Sequence, residues 1–338
     1  MRHIIIIGGL MFAVVMRVES QGLHITRDAH LVVTGAPQLV LQDAGLVNDG
    51  VIHADSSRCL FWGNSFIGGS RTSALYDLVI SGDVQTDNHL SVAGGVFMEG
   101  GSLYLHGHTL DLGRTGRIVG ERNTSFITDG SIKVSAFLDA PYEVNPGNIG
   151  IAFTSSANLG WTTIIRGHER QPDAVISRSF NIVAEKNIQM PVSYRLFYLD
   201  RELQGYGREG LSMLASSSSS GGWTSWGRDQ MDPQAGWVVK RNIGGANFIT
   251  LGLPAGRIHP IQVAPNPTAG AFTMVFENSK EEDRMIFLYD GSGHLAASRR
   301  VHLLAGHNSI DWSGAGLAAG VYRLQIEGMG VTTMEIMR

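Results

Sequence analysis

Cysteine is nearly absent from this chain: Cys59 is the only one in 338 residues. No intramolecular disulfide can hold the fold, so its stability has to come from apolar burial and backbone pairing. Charge is scarce as well. Asp, Glu, Lys and Arg make up 17% of the chain, against roughly 25% in an average soluble protein. The net charge is −4 and there is no basic run, which argues against nucleic acid as a partner. Proline is limited to ten residues. Glycine, by contrast, is abundant, with 43 residues, and 43% of the chain is hydrophobic. Together with many Val, Ile, Leu, Thr and Ser, this composition describes a β-rich chain with many turns.

Long apolar runs are confined to one place. Arg2 and His3 precede IIIIGGLMFAVVM, and RVESQG follows. This is the basic start, short apolar stretch and small-residue cleavage site of a secretory signal, with Val18 and Ser20 at the −3 and −1 positions and the cut between Ser20 and Gln21. The run is shorter than the roughly 20 residues of a membrane span. The alternative is a buried first strand. Export through the Sec machinery is the expectation, with residues 1–20 removed.

Residues 21–139 alternate short apolar runs with glycine or Asx punctuation, as in QLVLQDAGLVNDG, DLVISGD and SLYLHGHTLDLG. Two architectures give this rhythm: a parallel β-helix of stacked short strands, or an antiparallel sandwich. Leu103, Leu105, Leu110 and Leu112 favour the first, since they can point inward from consecutive strands around a glycine corner. Over 140–252 the punctuation thins and longer strands appear, such as VISRSFNIVA and MPVSYRLFYLD. There Tyr194, Leu196 and Tyr198 share one face, and a β-sandwich is expected. The serine run at 216–222 reads as a surface loop, and 253–262 as a linker.

Residues 263–338 are the most clearly patterned. APNPTAG at 264–270 opens the segment. Pro265 and Pro267 each fix φ and remove a donor, so a stiff, extended lead-in is expected, standing apart from the sheets that follow. The run MIFLY at 285–289 looks like a strand buried on both faces, and DGSG at 290–293 like a hairpin turn. In VYRLQIEG, Tyr322, Leu324 and Ile326 should face a core while Arg323, Gln325 and Glu327 face water. About seven strands make a small immunoglobulin-like sandwich.

This tail resembles the type A carboxy-terminal sorting domain of the type IX secretion system of Bacteroidota. The matching segments are PNPTAG (265–270), LYDGSGHL (288–295), AGHNSI (305–310) and LAAGVYRLQI (317–326), with the basic final residue Arg338. Its motif residues would be Pro265, Asn266, Pro267, Gly270, Gly293, Gly306, Gly320 and Tyr322. The resemblance implies passage across the outer membrane through the type IX translocon, followed by trimming by its sortase. Linkage to surface lipopolysaccharide, or release, would come next. The body resembles, more loosely, glycine-rich β-repeat surface proteins of the same bacteria, which names no activity.

Motifs for chemistry are thin. GYGREG at 205–210 has the spacing of a dinucleotide loop without the helix that must follow it. His106 and His108 lack a third ligand, with His89 and His53 distant in sequence, so surface imidazoles are expected and no metal. HERQP at 168–172 lacks the second histidine of a zinc peptidase, and Cys59 in RCLFWG reads as a buried thiol. Asp200 and Glu202, two apart at a strand end, are placed to face one side as a glycosidase pair would, though a charged turn is the ordinary case. Tryptophans within 223–237 either pack in the core or stack on sugar rings. The sequence predicts an exported, surface-attached, all-β protein, adhesin-like or structural. Neither a catalytic residue nor a cofactor is assigned, and the partner of 21–262 would be a glycan or a cell-surface ligand. The runner-up is a carbohydrate-active enzyme or polysaccharide-binding module on a β-helix.

Overall fold

Short strands with one apolar side can bury it if the chain turns and stacks the next strand on top, all apolar sides facing one interior. The computed structural model of the chain has that arrangement. It describes residues 4–7, 22–168, 174–186, 191–203, 208, 210–217, 223–244, 247–252, 261–278, 281–304, 306–327 and 331–337, with the backbone alone at 4–7, 174–175, 277 and 331.

From residue 22 the chain winds about six turns of a parallel β-solenoid with three faces. The first face stacks Leu23–Ile25, Gly45–Asn48, Ser65–Gly68, Val84–Thr86, Leu103–Tyr104 and Ile127–Thr128. The second face follows, in two sheets, with His30–Val33, Val51–Ala54, Ser73–Leu75, Leu90–Val92, Thr109–Asp111 and Ser131–Asp139. The third takes Gln38–Gln42, Arg58–Trp62, Asp77–Ser81, Gly95–Gly100 and Arg117–Val119. Successive turns pair in parallel on every face, with one break on the second between Val51–Ala54 and Ser73–Leu75, so the antiparallel alternative does not hold for this region. Register partners one turn apart range from Ser73 beside Leu90 to Leu103 beside Ile127. Corners of unequal length thus blur the repeat, while the strands stay in step. Leu103, Leu105, Leu110 and Leu112 all point inward with no exposed surface.

The corners explain the glycine and Asx content. Where the third face passes to the first, Asp43, Gly63, Gly101 and Gly120 all have positive φ, the backbone region glycine enters without cost. Between them, a Cβ on Gly82 would strike the Gly63 carbonyl. Aspartates beside the corners tie one turn to the next. Asp43 accepts the Asn64 N–H at 3.1 Å, Asp83 that of Ser102 at 2.8 Å and Asp77 that of Gly95 at 2.7 Å. Ile4–Ile7 pairs in parallel with His30–Val33, so part of the N-terminal apolar run forms a strand. Val18, Ser20 and Gln21 lie outside the described residues.

Ser131–Asp139 has two roles. It pairs in parallel with Thr109–Asp111 on one side and antiparallel with Asn158–Gly167 on the other. The second face therefore runs without a break into an antiparallel extension through Ala174–Ala184, Phe248–Gly252, Ser212–Ser216 and Thr224–Gly227. A separate four-stranded sheet holds Ile151–Thr154, Val192–Phe197, Trp237–Ile243 and Gln230–Asp232. Tyr194, Leu196 and Tyr198 are buried, as their alternation indicated. Residues 1–252 form one compact unit and 253–338 another. Of the sequence-assigned linker, 253–260 lie outside the described residues.

Among its described residues the second unit has seven strands in two antiparallel sheets. One contains Gln262–Ala264, Ala271–Asn278 and Gly306–Ser313; the other, in spatial order, Leu295–Leu303, Glu282–Tyr289, Gly320–Ile326 and Val331–Ile336. Phe272, Met274 and Trp312 from the first meet Ile286, Leu288, Tyr322 and Leu324 from the second in one core. MIFLY is not buried on both faces. Ile286 and Leu288 reach the core, whereas Phe287 and Tyr289 stay half-buried on the outer side, their rings 6.2 Å apart. The two aromatics cover each other, and that contact keeps a continuous apolar run compatible with a one-sided strand.

Candidate functional site

The matching segments of the tail fall at different ends of the second unit: Ala271, next to Gly270, pairs with Ser313, whereas Gly306 pairs with Asn278 at the other end of the same two strands. PNPTAG is not a free-standing lead-in. The peptide bonds before Pro265 and Pro267 are cis, and the asparagine between the prolines is turned onto the last strand. Its side-chain carbonyl accepts the Glu335 N–H at 2.9 Å and its amide donates to the Thr333 carbonyl at 3.2 Å. Thr268 continues the contact, donating its N–H to Glu335 O at 2.8 Å and accepting from Met337 N–H at 2.8 Å. The prolines offer no donor to this edge, so Asn266 supplies a side-chain amide in place of a backbone one. The expected strap is therefore a stitched edge of the domain. Gly270, at φ 127°, completes the turn, where its N–H reaches Thr268 Oγ1 at 3.1 Å.

The other motif residues close chain reversals. Gly293, Gly306 and Gly320 have φ of 84°, 91° and 154°. Asp290 gathers the hairpin by accepting the N–H groups of Ser292 and His294 at 2.9 and 3.0 Å; these backbone bonds hold its carboxyl below the usual range. Buried Asn308 accepts the Leu304 N–H and donates to the Leu304 and Gly306 carbonyls, each at 2.9 Å. Tyr322 is buried, and its hydroxyl donates to Ala318 O at 3.0 Å, fixing the start of its strand. Ala305 and Arg338 lie outside the described residues. Beside the hairpin, a depression of about 440 Å³ opens between Tyr289, Gly293, Val321, Arg323, Gln325 and Thr333.

Elsewhere, most sequence candidates are engaged in structural contacts. His106 sits between Asp87 and Asp129, at 3.7 and 3.9 Å, while His108 packs edge-on to His89 with ring centroids 5.2 Å apart. The two imidazoles diverge, and His53 stacks instead on His30, 5.6 Å between centroids. Among the described residues, no three His, Cys, Asp or Glu side chains come together to hold a metal ion. Asp200 and Glu202 lie on a short 3-10 helix, Asp200–Leu203, and not at a strand end. Asp200 accepts from Arg208 at 2.6 Å and Asn123 at 3.0 Å, whereas Glu202 is buried against Arg178. They face different partners and make no carboxylate pair. Cys59 points into the solenoid, where burial pushes its thiol up to about 12, far from a thiolate nucleophile. Of GYGREG only Arg208 and Gly210 are among the described residues, and of HERQP only His168. The exposed tryptophans are Trp62 and Trp161, at 57% and 41%. Trp223, Trp226 and Trp237 are half-buried.

A buried ionic cluster escaped the sequence reading. Arg166 and Arg178 stand on the inward faces of their strands with Ile164 and Phe180. Arg166 grips Glu121 from the last solenoid turn with two hydrogen bonds of 2.6 and 2.7 Å; Arg178 reaches Glu202 at 2.9 Å and Glu121 at 3.6 Å. Burial alone would raise the Glu121 carboxyl, but the two guanidiniums outweigh it and hold it down to about 2. His168 donates from Nδ1 to Gly130 O and accepts from Arg166 Nε; burial and the adjacent Arg166 push it down to about 3. The signal was present in the alternation of Thr162, Ile164 and Arg166, which places a charge where an apolar residue belongs.

Comparison of the chain with protein-family models, with curated proteins and with solved structures gives no match.

Proposed function

We propose that this is an exported, cell-surface protein with a non-enzymatic body, adhesin-like or structural, and that residues 263–338 are the address that sends it through the type IX secretion system. The observation that carries the reading is the latch of Asn266 onto Thr333 and Glu335. It ties the first matching segment to the last strand of a unit that has its own core, which supports a folded address over a linear tag. A small immunoglobulin-like sandwich of this kind can be recognised independently of its cargo. The body suits a surface role because its solenoid is held by interlocking turns and needs no disulfide. Removal of 1–20 as a signal would take away Ile4–Ile7 and leave the turns from residue 22 onward. The partners are then the Sec machinery, the type IX translocon and its sortase, with surface lipopolysaccharide as the anchor.

Deleting 263–338 should leave a folded, signal-processed protein in the periplasm of a type IX-competent host, and fusing those residues to an unrelated exported protein should carry it to the surface. Surface display that persists without the tail would overturn the reading. A second reading, a polysaccharide-binding module, draws on the outward ladder of the third face. Val40, Leu60, Phe97 and Val119 stand in register there, one per turn, with Val79 between Leu60 and Phe97 buried beneath its neighbours, and Trp62 is exposed at the end of its strand. Glycan-array binding by residues 21–262, paired with a reducing-end assay, separates binding from hydrolysis.

A further inference from the structure

On the outer face of the four-stranded sheet, Tyr289, Arg323 and Thr333 are direct register neighbours across three strands. Their sequence neighbours Leu288, Leu324 and Met334 are buried in the core, so this row is turned away from it. Gln325 stands one step along the same face, opposite Phe287. All but Phe287 line the 440 Å³ depression, together with exposed Val321 and the glycines of the hairpin. That volume lies within the range of about 300–1,000 Å³ typical of ligand sites.

The charges point to the kind of ligand. The Arg323 guanidinium is exposed and forms no ion pair with another described residue. The one acidic lining residue, Asp290, is occupied by its own hairpin: two backbone N–H groups bond it, and His294 Nδ1 lies 3.7 Å away. An uncommitted guanidinium is a planar fork that matches a carboxylate with two parallel hydrogen bonds. Around it the Gln325 amide and Thr333 hydroxyl are free to bond hydroxyl groups, and the Tyr289 ring offers a flat apolar surface. A peptide strand cannot add to Gly320–Ile326, which is already paired on both sides.

We propose that this depression binds a carboxylated sugar, a uronic acid unit of an acidic polysaccharide, with its carboxylate on Arg323, its hydroxyls on Gln325 and Thr333, and its ring against Tyr289. The site is independent of the secretion reading: a sorting domain that binds no sugar and a sugar-binding domain that directs no sorting are distinguishable results. The test is calorimetric titration of the full chain with a galacturonate trisaccharide, alongside a neutral galactose trisaccharide, an Asp-rich peptide and inorganic phosphate. The uronate alone should bind. Arg323→Gln, an exposed change, should weaken it by about tenfold to a hundredfold, the usual cost of a charge-assisted hydrogen bond. Thr333→Val should weaken it less, and Arg300→Gln, outside the depression, should leave it unchanged. The proposal fails if the uronate does not bind, if the neutral sugar, peptide or phosphate binds as well as the uronate, or if Arg323→Gln leaves the affinity unaltered.

Discussion

Arg166 and Glu121 face each other through two hydrogen bonds of 2.6 and 2.7 Å, with the arginine side chain fully removed from solvent. The pair links the last solenoid turn to the antiparallel extension, and each charge is tolerable only because the other is there. Arg178 and Glu202 complete the cluster, with two cations and two anions.

Glu121→Gln should therefore destabilise residues 1–252 by about 3–5 kcal/mol, since it leaves two guanidiniums short of a buried counter-charge. Glu121→Leu combined with Arg166→Met should recover much of that loss, because an apolar pair carries no desolvation cost. Urea unfolding followed by circular dichroism measures both.

The same cluster sets an acid dependence. The Glu121 carboxyl is lowered from 4.5 to about 2, so its stabilisation is complete above pH 4.5 and is lost as the pH falls toward 2. His168 is lowered from 6.5 to about 3; the unfolded chain takes up a proton there that the folded chain refuses, so stability also falls as the pH drops from 6.5 toward 3. Thermal melts across this range should show both slopes. His168→Gln should remove the upper one and retain the lower.

Leu105, fully buried in the solenoid, should not accept a charge. Leu105→Asp is expected to cost several kcal/mol and to abolish cooperative folding of the turns around it. Melting at the wild-type temperature would show that the position is not truly internal.

Cys59 should be silent to thiol reagents in the native protein and react fully in denaturant, because its thiol is buried and held up to about 12. Cys59→Ser is expected to cost about 1–3 kcal/mol by burying a hydroxyl and to leave export unchanged. Labelling with a chromogenic disulfide in buffer and in urea is the measurement.

Asn266→Ala should free the last strand at both ends of its side-chain bridge and destabilise the second unit by about 1–3 kcal/mol. Hydrogen exchange should speed up at Glu335, whose N–H the Asn266 carbonyl holds, and stay slow at Leu324 in the core.

Much of this was legible in the sequence. Strand periodicity and glycine punctuation are local properties, so the β-rich class, the inward leucines and the seven strands of the tail were readable from the order of residues alone. The alternation in VYRLQI gave the correct buried side, because one face of a two-sided strand must be apolar for the sheet to pack. MIFLY misled because an aromatic pair on an outer face can shelter itself.

What the order of residues left open was whatever depends on contact between distant segments. Parallel or antiparallel stacking of 22–139 turned on which turn lies above which, and short apolar runs are compatible with both. Arg166 looked like an ordinary strand residue until folding set Glu121 against it, 45 positions earlier in the chain. The prolines around Asn266 announced stiffness, yet only the arrival of the final strand, 69 positions on, turned that stiffness into a latch. Local sterics and hydrophobic pattern are written residue by residue, but a buried charge or a closed sheet edge exists only where two remote parts of the chain meet.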